Sequence, residues 1–250
     1  MCLPIQPLRE VRHVDIQNSV ALVTGANRGL GRHLAAQLLS RGASKVYAGA
    51  RNPSLVDLPG IVPLQLDVTD PASVARAAEV ASDVTLLINN AGISTHAGLI
   101  SGSIADIRLE METHFFGSLD VTRAFAPVLT VNGGGAVLNI LSLLSWGHYP
   151  PYGGYSAAKA AEWAMTNVIR QELAPFGIDV TALHVGYMDT DMAHHVDGSD
   201  KVDPAWVAGL ALDGVQARAL EVVADEKSRN VKAALSGGLD QLYPGLPAMR

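Results

Sequence analysis

Tyr155 and Lys159 stand four positions apart in Tyr155-Ser-Ala-Ala-Lys159, a spacing that sets both side chains on one face of a helix, one turn apart. A lone tyrosine, with a pKa of about 10, is a poor base at neutral pH. A neighbouring ammonium stabilises the phenolate, so the pair can give a proton to an oxygen that gains charge, or take one from it. Upstream, Ser142 follows an apolar run and offers a hydroxyl that can hold the same oxygen. The blander reading of Tyr155 and Lys159 is a solvent-facing helical pair, and Ser142 at a strand end weighs against it. Ser145, one turn of chain further on, is the weaker candidate for the hydroxyl.

A second constellation is built to hold phosphate. Thr24-Gly-Ala-Asn-Arg-Gly-Leu-Gly31 lies where an apolar run turns into a helical pattern, so free backbone amides and the positive helix end face any bound anion. Gly25 permits a tight turn, Gly29 the close approach of a pyrophosphate, and Gly31 the contact of helix with strand. Glycine spacing alone also fits a turn with no ligand; the strand-turn-helix context favours binding.

These residues need elements to carry them. Strand-like runs fall at Val20–Thr24, Lys45–Gly49, Ile61–Leu66, Val84–Asn89, Ala136–Leu141 and Ile178–His184, with a short seventh at Leu220–Ala224. Helical patterns fall between them, at Gly29–Ser40, Pro71–Val80, about Ser103–Leu129 and Tyr155–Phe176, then at Ala205–Ala219 and Asp225–Leu235. Parallel strands need long connections and both sheet faces must be covered, so the alternation predicts one α/β domain, a doubly wound Rossmann-type sheet. The expected limits are an arm at 1–19, the domain at 20–236 and a tail at 237–250, lying on the surface or on a neighbouring subunit.

The glycine loop reads T-G-x-x-x-G-x-G, and it is followed in order by Asp67-Val68, Asn89-Asn-Ala-Gly92, Ser142, Tyr155-x-x-x-Lys159 and Gly186 to Thr190. In this the chain resembles the classical short-chain dehydrogenase/reductase family, over about residues 20 to 192. The resemblance implies hydride transfer between a nicotinamide and a carbonyl/alcohol pair, in the catalytic roles of Ser142, Tyr155 and Lys159 given above. It implies that Gly25, Asn27, Arg28, Gly29, Leu30 and Gly31 hold the pyrophosphate end, that Asp67 and Val68 contact the adenine, and that Asn89, Ala91 and Gly92 shape the adenosine ribose side and support the sheet. Lys159, with Tyr155 beside it, is implied at the nicotinamide ribose, and Gly186, Met188 and Thr190 at the carboxamide. The positive nicotinamide of an oxidised coenzyme would further stabilise the phenolate.

Two departures stand out. His114-Phe-Phe-Gly117 replaces the family's N-x-x-G, whose asparagine is associated with a water-mediated proton path to the lysine; histidine can serve such a relay, or can fill the position structurally. Val185 stands where proline commonly precedes the glycine. Coenzyme choice follows from charge: the second strand ends in Ala50 and Arg51, with no acid to take ribose hydroxyls, and Arg28 sits in the loop, so two guanidinium groups can flank a 2′-phosphate. NADP(H) is the expected cofactor, unless both arginines are ordinary surface charges.

The substrate is expected to meet Ile93 to His96, Leu143 to Tyr152 and Tyr187 to about Asp200, where Leu144, Trp146, Tyr149, Tyr152, Tyr187, Met188 and Met192 predict an apolar or aromatic pocket. His194, His195 and Asp197 lack a helical ligand pair, so a mobile lid is expected there and no metal. A formal charge of −6 argues against nucleic acid or an anionic membrane as partner, and 48% hydrophobic with 17% charged residues over 250 positions provides for a sizeable core. The single cysteine, Cys2, and an N-terminus too interrupted for a signal peptide lead to a cytoplasmic expectation, and the family resemblance implies a homodimer or homotetramer. Two other functions stay open: a regulatory NADP-binding protein without net turnover, and an epimerase or lyase on the same scaffold.

Overall fold

The computed structural model describes residues 15–245. Seven strands form one parallel sheet: β1 Val20–Thr24, β2 Lys45–Ala50, β3 Val62–Gln65, β4 Leu86–Asn89, β5 Gly135–Ile140, β6 Ile178–His184 and β7 Glu221–Val223. Their spatial order is β3-β2-β1-β4-β5-β6-β7, so the chain reverses its direction of winding between β1 and β4. At such a reversal the loops leaving two adjacent strands diverge and leave a crevice at the carboxyl edge. The expected Rossmann-type sheet is therefore present, with the seventh strand included.

The interior strands are apolar on both faces because helices cover both. Leu30, Leu34 and Leu38 of α1 Gly29–Ser40 and Val207, Ala211 and Leu212 of α6 Pro204–Gln216 pack on one side. On the other, α2 Pro71–Val80, α4 Ser118–Val131 and α5 Gly153–Leu173 supply Val74, Phe125, Leu129, Met165 and Ile169. Burial of a side chain such as Phe125 contributes on the order of 1.5–3 kcal/mol. Asp70 caps α2 by accepting from the Ala72 amide, with Pro71 at the first turn, as the Asp-Pro spelling dictates.

Several boundaries differ from the sequence reading by a residue or a few, and three of the differences have a structural reason. The single helix expected over about Ser103–Leu129 is α3 Ile104–Met111 and α4, joined by a π-helical turn at Glu112–Gly117. There Gly117 packs so closely on Val68 that a side chain would meet it, and the widened turn brings His114 inside. Helix α5 begins at Gly153, two residues before Tyr155, because Gly154 is anchored by its amide to Ala97 O. Within the stretch expected as an arm at 1–19, Ile16 is fully buried in the core; residues 1–14 lie outside the described ones.

Beyond α7 Glu226–Ala234 the expected tail forms a short helix, α8 Leu239–Leu242, and Tyr243 Oη meets the amide and Nδ1 of His148 at 3.1 and 2.9 Å. Residues 246–250 are not among those described. No described helix is long and apolar enough to cross a membrane.

Candidate active site

A cavity of about 790 Å³ opens at the carboxyl edge, over the β1/β4 crevice, and nearly every residue singled out from the sequence reaches it. Gly25, Asn27, Arg28, Gly29 and Leu30 line one end. Gly25 and Gly29 have φ of +66° and +53°, a conformation that side chains disfavour. Gly31 lies behind the loop and does not line the cavity. A Cβ there would fall 2.4 Å from Gly25 O, so its lack of a side chain is what lets helix meet turn. Thr190 closes the facing wall, 3.5 Å from where a Gly29 Cβ would stand. A glycine turn at the head of α1, open to a wide crevice, fits a dinucleotide pyrophosphate.

Ala50, Arg51, Asp67 and Val68 line the adjoining end. Arg51 is exposed at the end of β2. Arg28 is less available than its position in the loop suggests, because its guanidinium lies 3.4 Å from Asp191 Oδ2 in an exposed pair. Asp67 accepts from the amide and hydroxyl of Thr69, which fixes the turn after β3.

Asn89 requires a correction. Alternation along β4 turns its side chain to the far face of the sheet, where its Nδ2 donates to Thr122 Oγ1 at 3.0 Å and Asn139 Oδ1 at 2.9 Å. It supports the sheet, as expected, but its side chain does not reach the cavity. The neighbouring Asn90 does: its Nδ2 donates to Thr24 O and Gly25 O and so ties β4 to the glycine turn. Ala91 and Gly92 line the cavity after it, and Gly186, Met188 and Thr190 line the opposite wall. Gly186 N donates to Asp225 Oδ2, which also receives the Ser228 hydroxyl at the start of α7.

Ser142, Tyr155 and Lys159 meet on the cavity floor. Ser142 Oγ accepts from the Leu144 amide at 3.1 Å, leaving its own proton free to be donated. Ser145 is not a rival: it is buried, and its hydroxyl accepts from Ser142 N to close a capping box around Ser142. Behind Ser142, the neutral His184 stacks on Trp146 with centroids 3.7 Å apart and donates from Nδ1 to Ser142 O at 3.2 Å. Burial pushes His184 down to about 3. Trp146 is thus core, not the pocket wall expected for it.

The protein's own groups hold the Tyr155 phenol above its ordinary value. Burial is the largest cause; Lys159 and the Ser142 hydrogen bond pull the other way, and the carboxylates Glu162 and Glu110 push up. The sequence reading foresaw only downward pulls, from the ammonium and from an oxidised nicotinamide.

Lys159 Nζ is buried and donates to Ile140 O at 2.7 Å and to Glu162 Oε2 at 2.6 Å. Glu162 was not singled out from the sequence, although its spacing of three residues from Lys159 puts it on the same helix face.

His114 is buried with its ring edge-on to Tyr155, centroids 5.0 Å apart. Its Nε2 lies 2.8 Å from Ile93 O and 3.3 Å from Ile93 N, the shorter contact favouring a proton on Nε2, and its Nδ1 has no protein partner. Burial, then the Lys159 charge, hold it well below an ordinary histidine, so it is neutral at physiological pH.

At the outer end Leu144, Tyr149, Tyr152, Tyr187, Met188 and Met192 form the expected apolar and aromatic wall. His96 and His195 join it edge to face, 4.6 Å apart, and Tyr152 Oη meets His195 Nε2 at 3.1 Å. Lys227, Asn230 and Val231 of α7 also line it, far from any sequence motif. The segment Asp191 to Asp200 crosses the opening as two short 3-10 turns, with Asp200 paired to Lys227 at 2.5 Å.

Comparison with known proteins agrees with this geometry. The short chain dehydrogenase family model matches residues 19–200, and the chain belongs to that family of nicotinamide-dependent oxidoreductases. It is similar to Dehydrogenase/reductase SDR family member 7B of Xenopus laevis, 31% identical over 71% of this chain and 61% of that protein. It is also similar to the NADPH-dependent 1-acyldihydroxyacetone phosphate reductase of Schizosaccharomyces pombe, 35% identical over 68% of this chain and 60% of that one. The chain thus spans about three fifths of the length of these two curated relatives. Among solved structures it resembles a short chain dehydrogenase from Burkholderia cenocepacia in complex with NADP. That match has 38% identity and a TM-score of 0.89, covering 94% of this chain and 100% of the other.

Proposed function

We propose that the chain reduces a ketone or aldehyde to an alcohol with NADPH as hydride source, and that Tyr155 is the proton donor. The observation that carries this reading is the floor of the cavity, where a serine with a free hydroxyl proton and a tyrosine held protonated at neutral pH lie beside a buried lysine. A site poised with its acid in the acid form suits reduction. Ser142 holds the substrate oxygen, Tyr155 gives it a proton, and Lys159 keeps a positive charge near the phenolate that results. When bound, NADPH supplies the hydride to the carbonyl carbon. Gly25, Asn27, Gly29 and Leu30 would hold its pyrophosphate, Val68 and Ala91 its adenosine, and Gly186, Met188 and Thr190 its carboxamide.

NADPH is favoured over NADH by charge at the end of β2, where Ala50 leaves no carboxylate and Arg51 stands exposed at the rim. The NADP-bound Burkholderia relative and the NADPH-dependent Schizosaccharomyces relative support that choice. Arg28 would add to it once freed from Asp191. The neutral His114, with an unpartnered Nδ1 beside Tyr155, would accept a hydrogen bond from water in the proton supply to Lys159. The tyrosine-rich outer wall favours an apolar or aromatic substrate, and the single cysteine, Cys2, favours a reducing compartment such as the cytoplasm.

The test is loss of nicotinamide absorbance when NADPH is mixed with a panel of aliphatic and aromatic ketones and aldehydes. Turnover with aromatic carbonyls supports the reading. Tight coenzyme binding with no net oxidation on any carbonyl would turn it toward a regulatory protein or an epimerase.

A further inference from the structure

We propose that Glu162 is a positioning residue for the reaction: its carboxylate holds the Lys159 ammonium in place and sets the alkaline limit of activity. Lys159 Nζ has three protons. One goes to Ile140 O at 2.7 Å and one to Glu162 Oε2 at 2.6 Å, which leaves one for the side of Tyr155 and the coenzyme. Glu162 Oε1 is fixed in turn by the Ser118 hydroxyl of α4 at 2.9 Å. Both members of the pair are almost fully buried, with side-chain exposures of 6% and 2%. At that depth neither charge is stable without the other, so the ion pair makes the ammonium a fixed part of the site.

The groups that face this pair come from every element packed on it. Tyr155 lies one turn back on α5, His114 comes from the π-helical turn, Ser118 from α4 and the Ile140 carbonyl from β5. Glu110 of α3 and His184 of β6 act from further off, the first on Tyr155 and the second through the charge of Lys159. His114 and His184 are neutral, so the charge balance beside the phenol is one ammonium against Glu162 and Glu110.

The sign of the effect follows. Glu162 raises the proton affinity of Tyr155 directly, and it stabilises the ammonium of Lys159. Glu162→Gln removes both influences: the phenol gives up its proton at lower pH, and the buried ammonium is left without its carboxylate partner. In the reducing direction the change at the phenol brings the loss of activity to lower pH. A purely structural residue would lower kcat or thermal stability without moving that limb.

The inference rests on the roles given above to Tyr155 and Lys159, and those are tested separately by Tyr155→Phe. For Glu162→Gln, kcat/KM for carbonyl reduction is followed against pH. The alkaline limb is expected about one pH unit or more below that of the wild type. In Glu162→Asp, which keeps the charge on a shorter arm, the limb is expected to return most of the way while kcat stays low.

A second readout needs no coenzyme. The unpaired buried ammonium destabilises the folded Gln variant, so its Tm should fall by several degrees at neutral pH, and Glu162→Asp, which keeps the charge, should recover most of that loss. A Glu162→Gln profile that superimposes on the wild type after scaling overturns the proposal even if Tyr155→Phe is inactive. Should Glu162→Gln fail to fold, the profile is read on Glu162→Asp, where a limb moved part of the way to lower pH supports the proposal and an unmoved limb with unchanged kcat overturns it.

Discussion

At the scale of single residues the chemistry narrows to which group carries the proton and which carries fixed charge. Tyr155→Phe removes the transferable proton and little else, so turnover should fall about 10²- to 10⁴-fold while NADPH affinity, read by fluorescence quenching, is nearly unchanged. A variant that keeps most of its rate would reject Tyr155 as the acid. Because His114 is neutral and Tyr155 is held protonated, kcat/KM for reduction should be level through the histidine range and fall only on the alkaline side. An inflection near pH 6.5 that vanishes in His114→Asn would show instead that His114 titrates during turnover. For the double change Ala50→Asp with Arg51→Ala, the new carboxylate repels a 2′-phosphate and accepts from a free ribose hydroxyl. Each charge-assisted bond to the phosphate is worth about 1.5–3 kcal/mol, roughly tenfold to a hundredfold in affinity. The ratio of kcat/KM for NADPH and NADH should therefore reverse, and an unchanged ratio would leave Arg51 a surface charge.

At the scale of elements the site depends on close approaches that no side chain can enter. In Gly31→Ala the new methyl would fall 2.4 Å from Gly25 O and 2.5 Å from Asn90 Nδ2, and the nearer of these is backbone that cannot swing aside. Either α1 tilts off β1 or the glycine turn opens, and both spoil the amide cradle. Coenzyme binding by calorimetry should weaken at least tenfold, with a Tm loss of several degrees; wild-type affinity in the variant would show that the cradle is not the binding element. The glycine spacing makes this element legible in the sequence. The π-helical turn is not, because helical periodicity over Ser103–Leu129 is nearly the same with one residue looped out, and the close packing of Gly117 on Val68 belongs to another part of the chain. Asn89 and Asn90 were likewise ambiguous as spelling, since either could face the crevice until the register of β4 was set.

For the whole molecule, buried histidines make stability depend on acid. His184 is neutral when folded, with a pKa of about 3 against an ordinary 6.5, so the unfolded chain binds the extra proton first as pH falls. Its contribution, on the order of a few kcal/mol, is complete above about pH 6.5 and is lost progressively toward pH 3. His184→Phe, which keeps an aromatic ring against Trp146, should flatten the fall of Tm with pH in that window, and an unchanged slope would place the acid sensitivity elsewhere. Assembly belongs to this scale too. The family resemblance implies pairing of the two long helices with a second copy over the alanine-rich face of residues 155–165, and Val168 of α5 and Phe116, just before α4, are about half exposed. Light scattering that finds only monomer at micromolar concentration would reject it.

What the sequence alone determined are the features that rest on local geometry: the strand and helix alternation, the glycine turn, and the helical spacing of Tyr155 and Lys159. A helix pitch or a strand pleat fixes such relations within a few residues. Tertiary structure decided what depends on distant segments meeting. It turned Asn89 away from the cavity, engaged Arg28 with Asp191, put Trp146 in the core behind Ser142, and brought Lys227, Asn230 and Val231 of α7 to the substrate end. It also reversed the balance at Tyr155, whose proton affinity goes up where the lysine alone would bring it down. Electrostatics inside a protein is a sum over everything nearby and over the water removed, and burial, the largest cause there, is a property of the fold and of no single residue.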